Sequence, residues 1–246
     1  MPGIADAKLK LSWAYEHLKS LDREIDAFCT PPNACTITRE DDLENKRHSL
    51  CMRLPDLDQL ALIVGDAFYN MRASLDQLVW ALARLNGIPD GTQFPVVEVL
   101  TKDSLKRLNR QTQGVPEEAI CEIKFLQPYN RGTAFKTHPL WRLNEMCNLD
   151  KHRRIPVDRQ EVIAHFPGLT PADFASGLVS TTTTDESHIM SVPLALKHKL
   201  DFDPTLTISI KFGGDISGIS ESPYGIAEVY AFIAKEVFPR FARFFP

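Results

Sequence analysis

Long hydrophobic runs are missing from this chain. No segment approaches the ~20 consecutive apolar residues that a membrane-spanning helix needs, and Met1 to Lys8 carries no signal-peptide apolar stretch. A cytoplasmic protein with no membrane partner is therefore expected. Cysteine is sparse and unpatterned: there are 5, an odd number, and none forms a CxxC pair. That argues against both a zinc knuckle and a disulfide framework and suits free thiols in a reducing compartment. Excess charge is also lacking. A net charge of −4 and a pI of about 6.0 offer no general attraction to nucleic acid or anionic lipid. The one dense basic cluster, Lys151-His152-Arg153-Arg154, is too short to form a binding footprint by itself. No GxGxxG, P-loop or GxSxG motif occurs, and the histidines never fall at metal-ligand spacings, so neither a cofactor nor a metal is expected.

What the chain does contain is helical periodicity. Ala7, Leu11, Ala14, Leu18, Leu21, Ile25 and Phe28 recur at alternating spacings of four and three, which predicts a helix over 5–28. Two β-prone runs follow within 34–54, joined by the polar link Glu40 to Asn45, a hairpin pattern. Pro55-Asp56 then opens the longest predicted helix, 57–86, closed by Asn86-Gly87. Shorter helices are expected at 101–111 and 116–126, and a fourth substantial one at 139–152, where Pro139 suits a first-turn position. Beyond Arg154 the composition shifts to Val, Ile and Thr, predicting strands over 155–212, and Gly213-Gly214-Asp215 reads as a turn. A closing helix over 223–244 carries Ile226, Tyr230, Ile233, Val237, Phe241 and Phe244 on one side, an aromatic stripe that needs a dock. The expected fold class is α+β: a bundle of long amphipathic helices packed with a mostly antiparallel sheet, in a single interleaved domain over 1–246.

Two polar constellations interrupt helices that otherwise read as core. Burying unpaired charge is costly, so such groups must find partners or serve a site. In the long helix, at ~100° per residue, Gly65, Tyr69, Arg72 and Asp76 fall on one flank and Asp66, Asn70 and Gln77 on the other. Arg72 and Asp76 stand four apart and can pair. Gly65 in mid-helix costs ~1 kcal/mol against Ala and hints at a close approach to the backbone. In the 139–152 helix, Glu145, Asn148 and His152 share a narrow stripe with Trp141, flanked by Asn144 and Lys151. His152 is the natural general base or acid, since an imidazole titrates near neutral pH. The four cations at that helix end equally complement its dipole.

Several of these elements stand together as Trp13-Ala14, Gly65-Asp66-Ala67, Asn70, Arg72, Leu75-Asp76-Gln77-Leu78, Leu126-Gln127-Pro128-Tyr129, His138-Pro139-Leu140-Trp141 and Asn148-Leu149-Asp150-Lys151-His152-Arg153. In that order and spacing they resemble the pattern of a broad group of uncharacterised bacterial proteins of similar length, whose long helix reads Gly-Asp-Ala-x-x-Asn-x-Arg-x-x-Leu-Asp-His-Leu. The resemblance spans most of the chain and brings no activity with it. The Arg-x4-His element of the pattern is also similar to the catalytic motif of HEPN-type ribonucleases, metal-independent helical domains of toxins and phage defence. That resemblance implies Arg72 as the Arg, but the His position holds Gln77, which cannot shuttle a proton, so cleavage would have to recruit His152. Residues five apart in one helix also point ~140° away from each other.

The expectation is a polar site between the two helices that handles a small molecule or nucleotide. Arg72 and Asp76, or Asp66 and Asn70 from the other flank, would face Asn148 and His152. In the specific enzymatic version RNA is cleaved, with His152 as base and Arg72 or Lys151 steadying phosphate charge. The alternative is a non-catalytic interaction protein, its polar residues a structural network and its Phe-rich C-terminal helix a homodimer contact.

Overall fold

The computed structural model describes residues 4–29, 36–53, 57–87, 91–183, 187–201, 205–214 and 218–245, with 28–29, 159–164, 183, 187–188 and 205–208 described by backbone alone. The Pro31-Pro32 break, the Pro55-Asp56 helix start, Cys35, Asp215 and the side chains of Phe28 and Cys29 lie outside this description. The fold is α+β, and the chain divides into two compact, interleaved units. The first comprises Met1–Asp22, Gln59–Asp158 and Lys211–Pro246; the second comprises Arg23–Asp58 and Arg159–Ile210. Among the described residues no helix is long and apolar enough to cross a membrane.

Helix α1 runs Ile4–Cys29, and Ala7, Leu11, Ala14, Leu18 and Leu21 of its stripe are buried. Strands β1 (Thr36–Asp42) and β2 (Arg47–Arg53) form the expected hairpin, with β1 running three residues into the polar link that begins at Glu40. The reason lies in Asp42, whose carboxylate accepts from the Asn45 backbone N–H at 2.9 Å and from its amide at 2.8 Å, gripping the turn. Helix α2 spans Asp58–Ala83, followed by α3 (Lys102–Gln111), α4 (Glu117–Phe125) and α5 (Pro139–His152). Beyond them come β3 (Val157–His165), α6 (Pro171–Ala175), β4 (Ser180–Thr183), β5 (Ser187–Pro193), β6 (Thr205–Gly214) and β7 (Ile219–Glu221). The C-terminal helix is α7 (Pro223–Phe232), a π-helical turn over Ile233–Val237, and α8 (Phe238–Phe241). The wide turn sits directly before Pro239, which has no N–H to continue the regular ladder.

In the second unit the hairpin joins two later strands in a four-stranded antiparallel sheet of order β1-β2-β5-β4. Its buried face alternates along β2, with Leu50 and Met52 packed among Phe166, Leu169, Val179, Met190, Val192 and Leu200. The sequence pattern missed α6, which Thr170 and Asp173 hold through a capping box. Lys199 and the two Thr170 donors keep the Asp173 carboxyl at a pKa of about 2. The remaining strands form a second sheet of order β3-β6-β7. Gly213 and Gly214 of the expected turn are the last two residues of β6, and Asp215 lies outside the described residues. Gly213 adopts φ +95°, and a Cβ there would strike the Ile219 carbonyl.

The first unit is the helical one. The α2 stripe of Val64, Phe68, Met71, Leu75, Leu78 and Leu82 is buried throughout, whereas Leu85, past the helix end, is exposed. The aromatic end of the chain finds its dock on α4: Phe238 and Phe241 are buried, Glu122 accepts from Arg240 at 3.1 Å and from Arg243 at 3.0 Å, and Arg240 covers the Phe125 ring at 4.3 Å. Tyr230 stacks on Tyr15 with centroids 5.4 Å apart. A bidentate ion pair joins Arg142 of α5 to the buried Glu221 of β7.

His138 starts α5 in a way its residue type did not announce. Its Nδ1 accepts from the Leu140 N–H at 3.1 Å, so the imidazole serves as the N-cap, neutral and protonated at Nε2. Burial, reinforced by the nearby Arg131 charge, pushes its pKa down from 6.5 to about 4. Because the folded value lies below the unfolded one, the cap's contribution is whole above pH 6.5 and is lost as pH falls toward 4. His138→Asn keeps a capping oxygen and removes the titration. Thermal melts at stepped pH should therefore show a shallower acid-side loss of stability in the variant than in the wild type, and equal slopes would refute this role for His138.

Candidate functional site

The first unit contains a cleft of about 620 Å3 floored by α2 and walled by α5, by α3 and by the extended segment 93–98. Among the described residues no strand pairs with that segment. Its backbone is gripped by the side chains of two α2 residues one helical turn apart. Arg72 Nη2 donates to the Phe94 carbonyl at 2.7 Å, the Phe94 N–H donates to Asp76 Oδ1 at 2.9 Å, and Arg72 Nη2 lies 3.1 Å from the same oxygen. The ion pair thus doubles as a surrogate β-partner, and the Phe94 ring is fully buried as a result. On the far side Gln93 is tied to the end of α3: its N–H donates to the Gln111 carbonyl at 3.1 Å, and the Gln111 amide donates to Gln93 Oε1 at 3.2 Å. Arg107 completes this wall by donating to the Val96 carbonyl at 3.1 Å.

On the opposite wall, α5 approaches α2 very closely. Cys147 Sγ lies 3.4 Å from the Phe68 carbonyl, and a Cβ on Gly65 would sit 2.7 Å from Asp150 Oδ1. Asp150 is thus what the mid-helix glycine admits. Loss of hydration and then repulsion from Asp66 raise the Asp150 pKa. Burial likewise raises Asp76, against the pull of Arg72, the Phe94 N–H and Lys151. Cys147 lines the cleft, and burial pushes its thiol up to about 12, which disfavours the thiolate.

Of the residues singled out from sequence, Tyr69, Arg72, Asp76, Gln77, Glu145, Asn148 and Lys151 all line this cleft. Three do not. Asn70 is buried and structural, accepting from Lys10 Nζ at 3.4 Å and donating to the Asp66 carbonyl at 2.8 Å, which ties α1 to α2. Asp66 is exposed, its carbonyl accepts from Asn70, and its charge bears on Asp150. His152, the last residue of α5, is exposed and outside the cleft lining. Sequence reasoning missed Gln93, Glu98, Arg107 and Gln111. The i, i+4 pair Arg107 and Gln111 was legible as one face of a short helix, but nothing in the chain said where that helix docks.

Three residues that line the cleft carry polar atoms without a partner in the protein. Arg72 Nη1, Gln77 Oε1 and Gln111 Oε1 are buried without a hydrogen-bond partner. Such groups cost ~1–3 kcal/mol each unless something else satisfies them. Among the described residues no cluster of His, Cys, Asp and Glu could hold a metal ion. No protein-family model matches the chain, and neither a curated protein nor a solved structure matches it.

The grip on Phe94 has a measurable signature. Asp76→Ala leaves a half-buried guanidinium and a buried N–H without their acceptor and should cost ~2–3 kcal/mol in urea denaturation, whereas Asp76→Asn keeps the acceptor and should cost less. The raised Asp76 pKa adds a pH dependence. The folded chain holds the proton more tightly than the unfolded one, so this group's contribution is whole below pH 3.8 and is lost as pH rises through the raised value. The Asn variant should lack that slope, and a variant indistinguishable from wild type at every pH would remove Asp76 from this account.

Proposed function

We propose that this protein binds a small polar molecule in the cleft between α2, α3 and α5. The observation that carries this reading is one 620 Å3 cleft lined by charged and polar side chains of α2, α3 and α5, among them Arg72, Gln77 and Gln111, each of which also carries a buried atom without a partner. A network retained only to fix helix register satisfies its members internally, as Asn70 does on the other flank of α2. The cleft, which takes Gln77 from the flank assigned with Asn70 as well as Tyr69, Arg72 and Asp76 from the opposite one, leaves such groups unpaired, and a cavity of this size suits a metabolite-sized ligand. Tyr69, Asn148, Glu145 and Lys151 are the contacts with room to adjust, and Arg72, Asp76 and Gln77 form the floor.

The ribonuclease version has less support. It needs a proton-transfer group beside Arg72, and the residue five positions on is Gln77, while His152 stands outside the lining. The homodimer version loses its main motive, because Phe238 and Phe241 are already covered by the chain itself.

Gln77→Leu tests the binding reading directly. Replacing an unsatisfied amide with an apolar group of similar shape should leave the unliganded protein as stable as wild type or more stable by ~1 kcal/mol. It should also abolish the thermal shift produced by whichever compound in a panel of nucleotides, amino acids, sugars and polyamines stabilises the wild type. A variant clearly less stable than wild type would show that Gln77 has an internal partner, which is the outcome a structural network requires.

A further inference from the structure

The chemistry of the cleft is lopsided in a way that narrows its ligand. Three cations line it, Arg72, Arg107 and Lys151, against four carboxylates, Asp76, Glu98, Glu145 and Asp150, which leaves one net negative charge when all are ionised. Arg72 is the least available of the cations, because its Nη2 already serves Asp76 and the Phe94 carbonyl. The hydrogen-bond inventory leans the same way. Two of the three partnerless atoms are amide oxygens, Gln77 Oε1 and Gln111 Oε1, and an amide oxygen needs a donor. Both donors to the Asp76 carboxylate fall on Oδ1, which leaves Oδ2 for a donor from outside the chain. At the Gly65 end Asp150 stands beside Asp66, a repulsion that a cation relieves. The Tyr69 ring, 61% exposed on the same wall, already has the Lys10 ammonium 5.8 Å from its centroid and offers a π face to a second cation.

Resting on the reading of the cleft as a ligand site, we infer that its ligand is an organic cation rich in N–H donors, of the polyamine or guanidino class, held by Glu145, Asp150 and Asp76 Oδ2. The excess carboxylate attracts such a ligand, and its N–H groups donate to the Glu145, Asp150 and Asp76 carboxylates. A nucleotide brings a phosphate dianion to a wall of net like charge and finds Lys151 and Arg107 outnumbered by carboxylates. A linear diamine or guanidino-amine fits the cavity volume with room to spare.

Isothermal titration of the full chain with agmatine, spermidine and, in parallel, guanosine monophosphate decides the matter, using wild type, Glu145→Gln and Lys151→Gln. Glu145 is half-exposed and Lys151 exposed, so both variants should fold, which circular dichroism checks. Saturable binding of agmatine or spermidine is expected, weakened about tenfold or more by Glu145→Gln, as befits loss of a charge-assisted contact, and strengthened by Lys151→Gln. Nucleotide binding that Lys151→Gln weakens, with no binding of either cation, overturns the cation class and leaves the cleft standing as a site. Absence of binding by all three probes at about 10 mM, well past the weakest specific affinities, also overturns it. If Gln77→Leu is then destabilised as well, the ligand-site reading falls with it.

Discussion

An extended segment placed against a helix has a bonding problem, because a helix offers its neighbours no free backbone donors or acceptors along its length. Residues 93–97 solve it with side chains. Arg72 and Asp76, one turn apart on α2, supply the donor and the acceptor that a neighbouring strand would have supplied to Phe94. Much of the first unit's cleft follows from this grip. It buries Phe94, sets the height of the wall formed by Gln93, Val96 and Glu98, and through Gln93 fixes where the end of α3 lies. A carboxylate and a guanidinium in this arrangement are held by two neutral backbone groups as well as by each other, so the pair has reason to persist in a setting where desolvation opposes it.

The opposite wall obeys a different constraint. Gly65 and Cys147 let α5 come within hydrogen-bond range of the α2 backbone, and the space that a Cβ would fill holds the Asp150 carboxylate. Close approach brings Asp150 toward Asp66 and brings Lys151 into the field of Asp76. Burial raises the Asp76 carboxyl against the pull of Arg72 and Lys151, and burial with repulsion from Asp66 raises that of Asp150.

The sequence by itself determined which segments are helices and strands, because periodicity is a property of neighbours along the chain. It also determined which positions on α2 and α5 are polar in an apolar setting: Asp66, Tyr69, Asn70, Arg72, Asp76, Gln77, Glu145, Asn148, Lys151 and His152 alike. The Gly65 anomaly was equally legible as a sign of close approach, although the approaching group was not. Short elements escaped: α6 is five residues long and β7 three, too few for a period to register.

Only the tertiary structure decided what those polar groups meet. The two flanks of α2 look alike in sequence, yet Asn70 is consumed by Lys10 and its own helix while Arg72 and Asp76 face a cavity. His152 shares a stripe with Glu145 and Asn148, but at the last residue of α5 it lies beyond the cleft wall. Arg107 and Gln111 enter the site from a helix whose sequence says nothing about its docking, and the C-terminal aromatics are spent on α4. The physical reason is common to all four cases. Local pattern fixes the direction of a side chain relative to its own element, whereas partnership depends on the burial and close approach of segments distant along the chain.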